Sequence, residues 1–325
     1  MKALQITGPG ACGLIDLPDP VPGPGQVLLR VLAVTTCPHW DMHILGGDPM
    51  FPGVPIEYPY TPGQPGHEAC GDIAALGEGV TGLRVGQRVC AWRDPGHDQP
   101  GCYAQFVVKD AHDVIPVPER LAPEACAALE LAMCVSAHLQ LALRLDAVAG
   151  RRAGVFGLGP AGLVAVQLLK DAGAAEVVGF DPLPARRELA ARLGADRALD
   201  PAGPEAAAFP GRFQPGALDL AFDCAGAAPA VHYALDHTNQ LCILFAVQRA
   251  PYTFAPQHWG GLVLAGAQAH TRQAAEYAAG RLDAGTLDLA PLVSETRPLS
   301  EYAEGVARLR TQQALKVAFL PQERP

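Results

Sequence analysis

No C-x-x-C pair occurs in the 325 residues, no run of lysine and arginine is long enough to follow a phosphate backbone, and no repeat or low-complexity linker interrupts the chain. Each absence closes a class of protein. Disulfide scaffolds and structural zinc lobes need closely spaced cysteines. The nine cysteines here stand at 12, 37, 70, 90, 102, 126, 134, 224 and 242, no two nearer than Cys126 and Cys134. Most are therefore expected to be reduced and buried as small hydrophobes. With 24 basic against 33 acidic side chains, a net charge of −9 and no basic patch, nucleic acid is not expected as a partner. The first twenty residues hold one lysine and no apolar core of the signal-peptide kind, so a cytoplasmic location is expected. The most apolar stretch, residues 153–169, contains four glycines and a proline and reads as a buried strand and helix rather than a membrane span.

What is present is core material. Apolar residues make up 49% of the chain and charged residues 18%, which suits a globular protein of about two domains. The 35 glycines and 31 prolines are scattered between apolar runs, as many tight turns require. Residues 27–34, 70–76, 88–92 and 104–108 read as short strands of an irregular β-rich domain. A long helix is expected over 123–145, opened by Pro123 and Glu124. After Gly150 the pattern alternates: strand 154–156, helix 161–172, strand 176–180, helix 185–193, then strands 218–224 and 241–246. Such alternation makes a parallel, doubly wound sheet, so the fold class is α/β. From about Leu289 a helix (300–309) and a strand (314–320) follow.

Gly157-Leu158-Gly159-Pro160-Ala161-Gly162 falls between the first of these strands and its helix. In that context G-x-G-x-x-G gives a tight turn, a close backbone approach for a pyrophosphate, and free N–H groups facing the anion. Nineteen residues past Gly162, at the end of the second strand, Asp181 is placed to accept from ribose hydroxyls and to repel a 2′-phosphate. NAD is thereby favoured over NADP. Arg186 and Arg187, just beyond, are the residues that would hold a phosphate instead.

Two segments carry metal-ligating side chains. Pro65-Gly66-His67-Glu68 closes a proline- and glycine-rich stretch, and thirty residues earlier stands Thr36-Cys37-Pro38-His39-Trp40-Asp41-Met42-His43. A thiolate, an imidazole and a carboxylate are the donors of a catalytic zinc with one open position.

Together with the dinucleotide turn, these segments resemble the medium-chain zinc-dependent alcohol dehydrogenase family, in its polyol and sugar dehydrogenase branch. Further matching pieces are Gly77-Glu78-Gly79-Val80, Val85-Gly86-Gln87-Arg88-Val89, Tyr103-Ala104-Gln105-Phe106-Val107, residues 219–226 and Leu315-Lys316-Val317. The resemblance implies a GroES-like β-rich catalytic domain from residues 1–122 and 289–325, with a Rossmann domain at 123–288 between them. It also implies a homodimer or homotetramer and an alcohol or carbonyl substrate. Cys37 and His67 match the family's zinc ligands, and Glu68 its ligand or exchanging acid. The family's further ligand stands seven residues before a histidine like His138. That position is Leu131, and Glu130, one residue earlier, becomes the candidate. The choice between Glu68 and Glu130 stays open. The usual hydroxyl of the cysteine loop is missing, so His39 or His43 is expected to relay the alcohol proton. Asp41 is expected to orient a histidine or a ligand, and Trp40 to wall the pocket. The absent cysteine lobe leaves one zinc per chain. A zinc-free quinone or enone reductase of the same superfamily and a catalytically silent dinucleotide-binding protein are the competing readings.

Overall fold

The computed structural model describes residues 1–51 and 53–322. In chain order its first part comprises β1 (Lys2–Gly8), β2 (Ala11–Asp16), β3 (Gln26–Thr35), α1 (Pro38–Gly46), β4 (Glu68–Leu76), β5 (Arg88–Ala91), β6 (Phe106–Asp110) and β7 (Val114–Pro116). Next come α2 (Pro123–Cys126), α3 (Leu129–Arg144), β8 (Arg152–Phe156), α4 (Pro160–Asp171), β9 (Glu176–Phe180), α5 (Pro184–Arg192), β10 (Arg197–Leu199) and α6 (Pro204–Ala207). The rest is β11 (Leu218–Asp223), α7 (Ala228–His237), β12 (Thr238–Leu244), β13 (Val263–Ala265), α8 (Arg272–Ala284), β14 (Val293–Pro298), α9 (Tyr302–Arg310) and β15 (Lys316–Leu320).

The chain divides into two compact units. One comprises Met1–Leu131, Ala278–Asp283 and the chain from Leu289 onward; the other comprises Ala132–Tyr277 and Ala284–Asp288. The division falls inside α3, and the last strand returns to the first unit. There β14-β15-β3-β4-β5-β7 form one sheet, with β6 pairing β3 and a separate β1-β2 hairpin. The antiparallel register sets Thr35 of β3 opposite both Glu68 of β4 and Ala318 of β15. Three distant parts of the chain therefore meet at one end of β3. Val27, Leu29 and Val31 point to the core alternately with less buried neighbours, the period-2 pattern of a half-buried strand.

In the second unit the parallel order β10-β9-β8-β11-β12-β13 is the 3-2-1-4-5-6 order of a dinucleotide-binding fold. Phe156, Val178, Phe180 and Leu218 pack in its core.

Some elements were not foreseen. The cysteine segment is helical: Cys37 is the N-cap of α1, Pro38 takes the first helical position, where its missing N–H is no loss, and Gly47 at φ +80° ends the helix. The helix expected over 123–145 breaks after Cys126 and resumes at Leu129; nothing in the local sequence explains the interruption. The span Pro123–Arg144 is long and apolar enough to cross a membrane, but 72% of its apolar 18-residue window is buried inside the protein, as befits a core helix.

Candidate metal centre and dinucleotide loop

Cys37 and the His67–Glu68 pair flank neighbouring strand ends, so the β3–β4 register alone brings them together. Cys37 Sγ, a ring nitrogen of His67 and a carboxylate oxygen of Glu68 lie within 4.8 Å of one another. His67 Nδ1 stands 2.8 Å from the Pro65 carbonyl oxygen and donates to it, which leaves Nε2 with its lone pair for a metal. That Nε2 is 3.9 Å from Glu130 Oε2. His67, Glu68 and Glu130 are all buried. Burial works against a charged imidazole here, but the Cys37 sulfur, Glu130 and Glu68 overcome it and raise His67 well above its ordinary range. The pocket thus calls for positive charge. Sulfur, nitrogen and oxygen donors around a site of that sign fit a zinc ion, with Cys37, His67 and a glutamate to hold it.

The two glutamates differ in their other partners. Thr35 Oγ1 donates to Glu68 Oε2 at 2.8 Å, and Lys316 Nζ lies 2.6 Å from both Glu68 oxygens and from the Thr36 carbonyl. A ligating Glu68 would have to loosen that grip, whereas Glu130 faces His67 directly.

Asp41, expected to orient a histidine or a ligand, binds tyrosines instead. Tyr103 and Tyr302 hydroxyls donate to its Oδ1 at 2.8 and 2.7 Å, while the buried Oδ2 has no partner. The reason is helical: Asp41 falls on the buried face of α1 and points into the core, where burial raises its pKa to about 6. His39 and His43 stand four residues apart on the same helix with stacked rings, centroids 5.3 Å apart, and His43 Nδ1 lies 3.0 Å from the Asp48 carbonyl oxygen.

Trp40 packs its ring 4.3 Å from that of His97. His97 stands 6.3 Å from the His67 ring, with its Nδ1 2.7 Å from the Tyr60 hydroxyl and Nε2 3.4 Å from Asp94. His67, Asp94 and His97 thus offer a second donor triad, but both His97 nitrogens already face protein partners. Of the residues that shape this site, Tyr302 and Asp94 were not singled out from the sequence, and Lys316, quoted in Leu315-Lys316-Val317, was given no role at the site. Only Lys316 carried a signal, a lone cation in the apolar run Ala314-Leu315-Lys316-Val317-Ala318-Phe319-Leu320.

In the second unit Gly157 has φ +87°, and a Cβ at Gly162 would lie 1.9 Å from the Gly157 carbonyl oxygen. The protein itself demands those two glycines. Gly159 is different: a Cβ there would meet nothing nearer than Arg186 Nη1 at 4.0 Å. That open side, above a helix start with no side-chain cap, is the room a pyrophosphate needs. Asp181 accepts from Leu158 N–H at 2.8 Å and Leu183 N–H at 2.9 Å, one bond on each oxygen. A carboxylate oxygen can accept twice, so ribose hydroxyls can add to these. Arg186 Nη1 lies 3.6 Å from Asp181. Arg187 is tied to the Asp181 and Pro182 carbonyls and to Asp200. Of the two arginines only Arg186 borders the loop.

A GroES-like β unit with a glycine-rich parallel α/β unit is the architecture of nucleotide-dependent oxidoreductases, and known proteins similar to this chain share it. Residues 23–119 match the alcohol dehydrogenase GroES-like domain, and residues 160–241 the zinc-binding dehydrogenase domain. The chain belongs to the medium-chain zinc-dependent alcohol dehydrogenase family. It is 27% identical to an L-threonine 3-dehydrogenase of Rhizobium johnstonii, with 98% of each chain covered. It is 26% identical to a sorbitol dehydrogenase of Halalkalibacterium halodurans, with 99% of each covered. A zinc-binding dehydrogenase structure from Sinorhizobium meliloti, bound to NADP, superposes with a TM-score of 0.83 at 24% identity, covering 98% of this chain and 99% of that one.

Proposed function

We propose that this protein is a zinc-dependent dehydrogenase that interconverts an alcohol or polyol and its carbonyl compound with NAD. The observation that carries the reading is the convergence of Cys37, His67 and Glu68 within 4.8 Å, with Glu130 3.9 Å from His67, in a chain that also bears an open glycine-rich loop. When bound, zinc supplies a Lewis acid to the alcohol or carbonyl oxygen and the dinucleotide takes or gives the hydride. Cys37, His67 and Glu130 hold the metal, and Glu68 remains beside it as an acid paired with Lys316. His39 or His43 passes the alcohol proton toward solvent, and Trp40 with His97 walls the substrate pocket. Gly157, Leu158, Gly159, Pro160 and Gly162 seat the pyrophosphate, and Asp181 holds the adenosine ribose and discriminates against NADP, with Arg186 beside it.

The threonine and sorbitol dehydrogenase relatives support a small hydroxylated substrate. Nine free thiols support a cytoplasmic location. The three-residue edge strand β13 and the 84% exposed Trp259 in the preceding turn support a homo-oligomer.

The test is elemental analysis of purified protein, followed by NADH formation with L-threonine, sorbitol and 2,3-butanediol. About one zinc per chain, lost in Cys37→Ala and His67→Ala, is expected. Wild type without metal, or Cys37→Ala with a full complement, would overturn the reading in favour of a zinc-free reductase or a silent binding protein.

A further inference from the structure

The chain has only four lysines, and three of them have a carboxylate partner. Lys2 pairs with Asp16, Lys170 with Asp196 and the buried Lys316 with Glu68. Lys109 is the exception. It lies on β6 opposite Val27, is only 4% exposed, and its side chain makes no hydrogen bond or ion pair among the described residues. Its side chain is buried, yet its ammonium is not among the fully buried polar atoms left without a partner, so the open space beside it bears on what it can bind.

Lys109 lines a cavity of about 630 Å³ in the first unit, whose other walls include Leu17, Pro18, Pro62, Pro100, Phe106 and Val107. That volume is in the range of small-molecule sites. Three aspartates also line it, each with another partner: Asp98 accepts from Gln99, Asp110 from Gln26, and Asp113 faces Arg93. One lysine among three carboxylates disfavours a polyanion such as phosphate, while apolar and proline walls favour a hydrocarbon body. The loop at 93–101 borders both this cavity and the metal pocket: Pro95, Asp98 and Pro100 line the cavity, and His97 of the same loop stands 6.3 Å from His67.

We propose that this cavity is a second ligand site, which takes a small monocarboxylate with an apolar body through a charge-assisted bond to Lys109. The site does not depend on the reading of the metal pocket. Isothermal titration of the full-length protein with hexanoate tests it, with hexanol and inorganic phosphate as comparison probes. One hexanoate per chain is expected. Lys109→Met should weaken it by about tenfold to a hundredfold, the worth of a hydrogen bond to a charged group, while Lys109→Arg should retain it. His67→Ala should also retain it, because a carboxylate sitting on the metal pocket would be lost there. Melting curves of the two Lys109 variants establish that both are folded. The proposal is overturned if wild type takes up no hexanoate, if hexanol or phosphate binds as tightly, if folded Lys109→Met binds like wild type, or if His67→Ala abolishes binding.

Discussion

Lys316 and Glu68, 248 residues apart in the chain, form a buried ion pair with Nζ 2.6 Å from both carboxylate oxygens. The last strand thereby fastens the acid next to His67, and Lys316 also reaches the Thr36 carbonyl beside Cys37. Breaking one side of such a pair leaves a buried charge and costs about 3–5 kcal/mol, whereas replacing both sides is far less harmful. Lys316→Met should therefore be strongly destabilised in urea titration, and the double variant Lys316→Met/Glu68→Gln should recover most of the loss. Additive losses would show that the two residues do not act as a pair.

Asp41 predicts a pH effect on stability. Its carboxyl is held at about 6 by burial, against hydrogen bonds from Tyr302 and Tyr103 that favour the charged form. A native value above the unfolded one, about 4, means that the protonated form contributes stability that is whole below pH 4 and lost as pH rises through 6. The two-unit difference corresponds to about 3 kcal/mol. Asp41→Asn should gain on wild type between pH 5 and pH 7.5 when melting temperatures are compared. A constant gap between the two across that range would contradict the prediction.

Cofactor preference follows from Asp181. Removing its charge in Asp181→Ala should lower kcat/KM with NAD and raise it with NADP, with Arg186 left to meet the extra phosphate. Adding Arg186→Ala should then weaken the gain with NADP. A wild-type preference for NADP in fluorescence titration would reverse the assignment.

The stacked pair His39 and His43 should carry the alcohol proton. His43→Gln or His39→Gln should lower turnover by about 10² to 10⁴ and alter the pH profile at unchanged zinc content. If both variants keep the wild-type rate and profile, Glu68 or a chain of waters becomes the better relay. A variant that loses its zinc marks that imidazole as a ligand.

The elements legible in the sequence are those whose signals are local. The strand, turn and helix around Gly157 to Gly162 lie in one short stretch, and Asp181 follows at the end of the next strand. Cys37 and His67 stood out because polar donors sit beside apolar strands. The helix after Cys37 went unread although Pro38 was its start signal, because its buried face, Asp41, Ile44 and Leu45, includes a carboxylate and so shows no apolar period. That same helical turn sent Asp41 toward Tyr103 and Tyr302, partners 62 and 261 residues away.

By itself the sequence determined the β-rich and doubly wound parts, the glycine loop, and the donors of the candidate metal centre, since periodicity and turn chemistry act over a few residues. Only the tertiary structure decided which donors meet. The pairing of β15 with β3 and of β3 with β4 puts Lys316, Thr35 and Glu68 at one spot, and a slip of one residue would turn each to the other face of the sheet. Such registers are chosen by the burial of the whole core across distant segments, so no single stretch of chain records them. For the same reason nothing local marks Lys109, and only the packed structure leaves it without a paired acid while Lys2, Lys170 and Lys316 each have one.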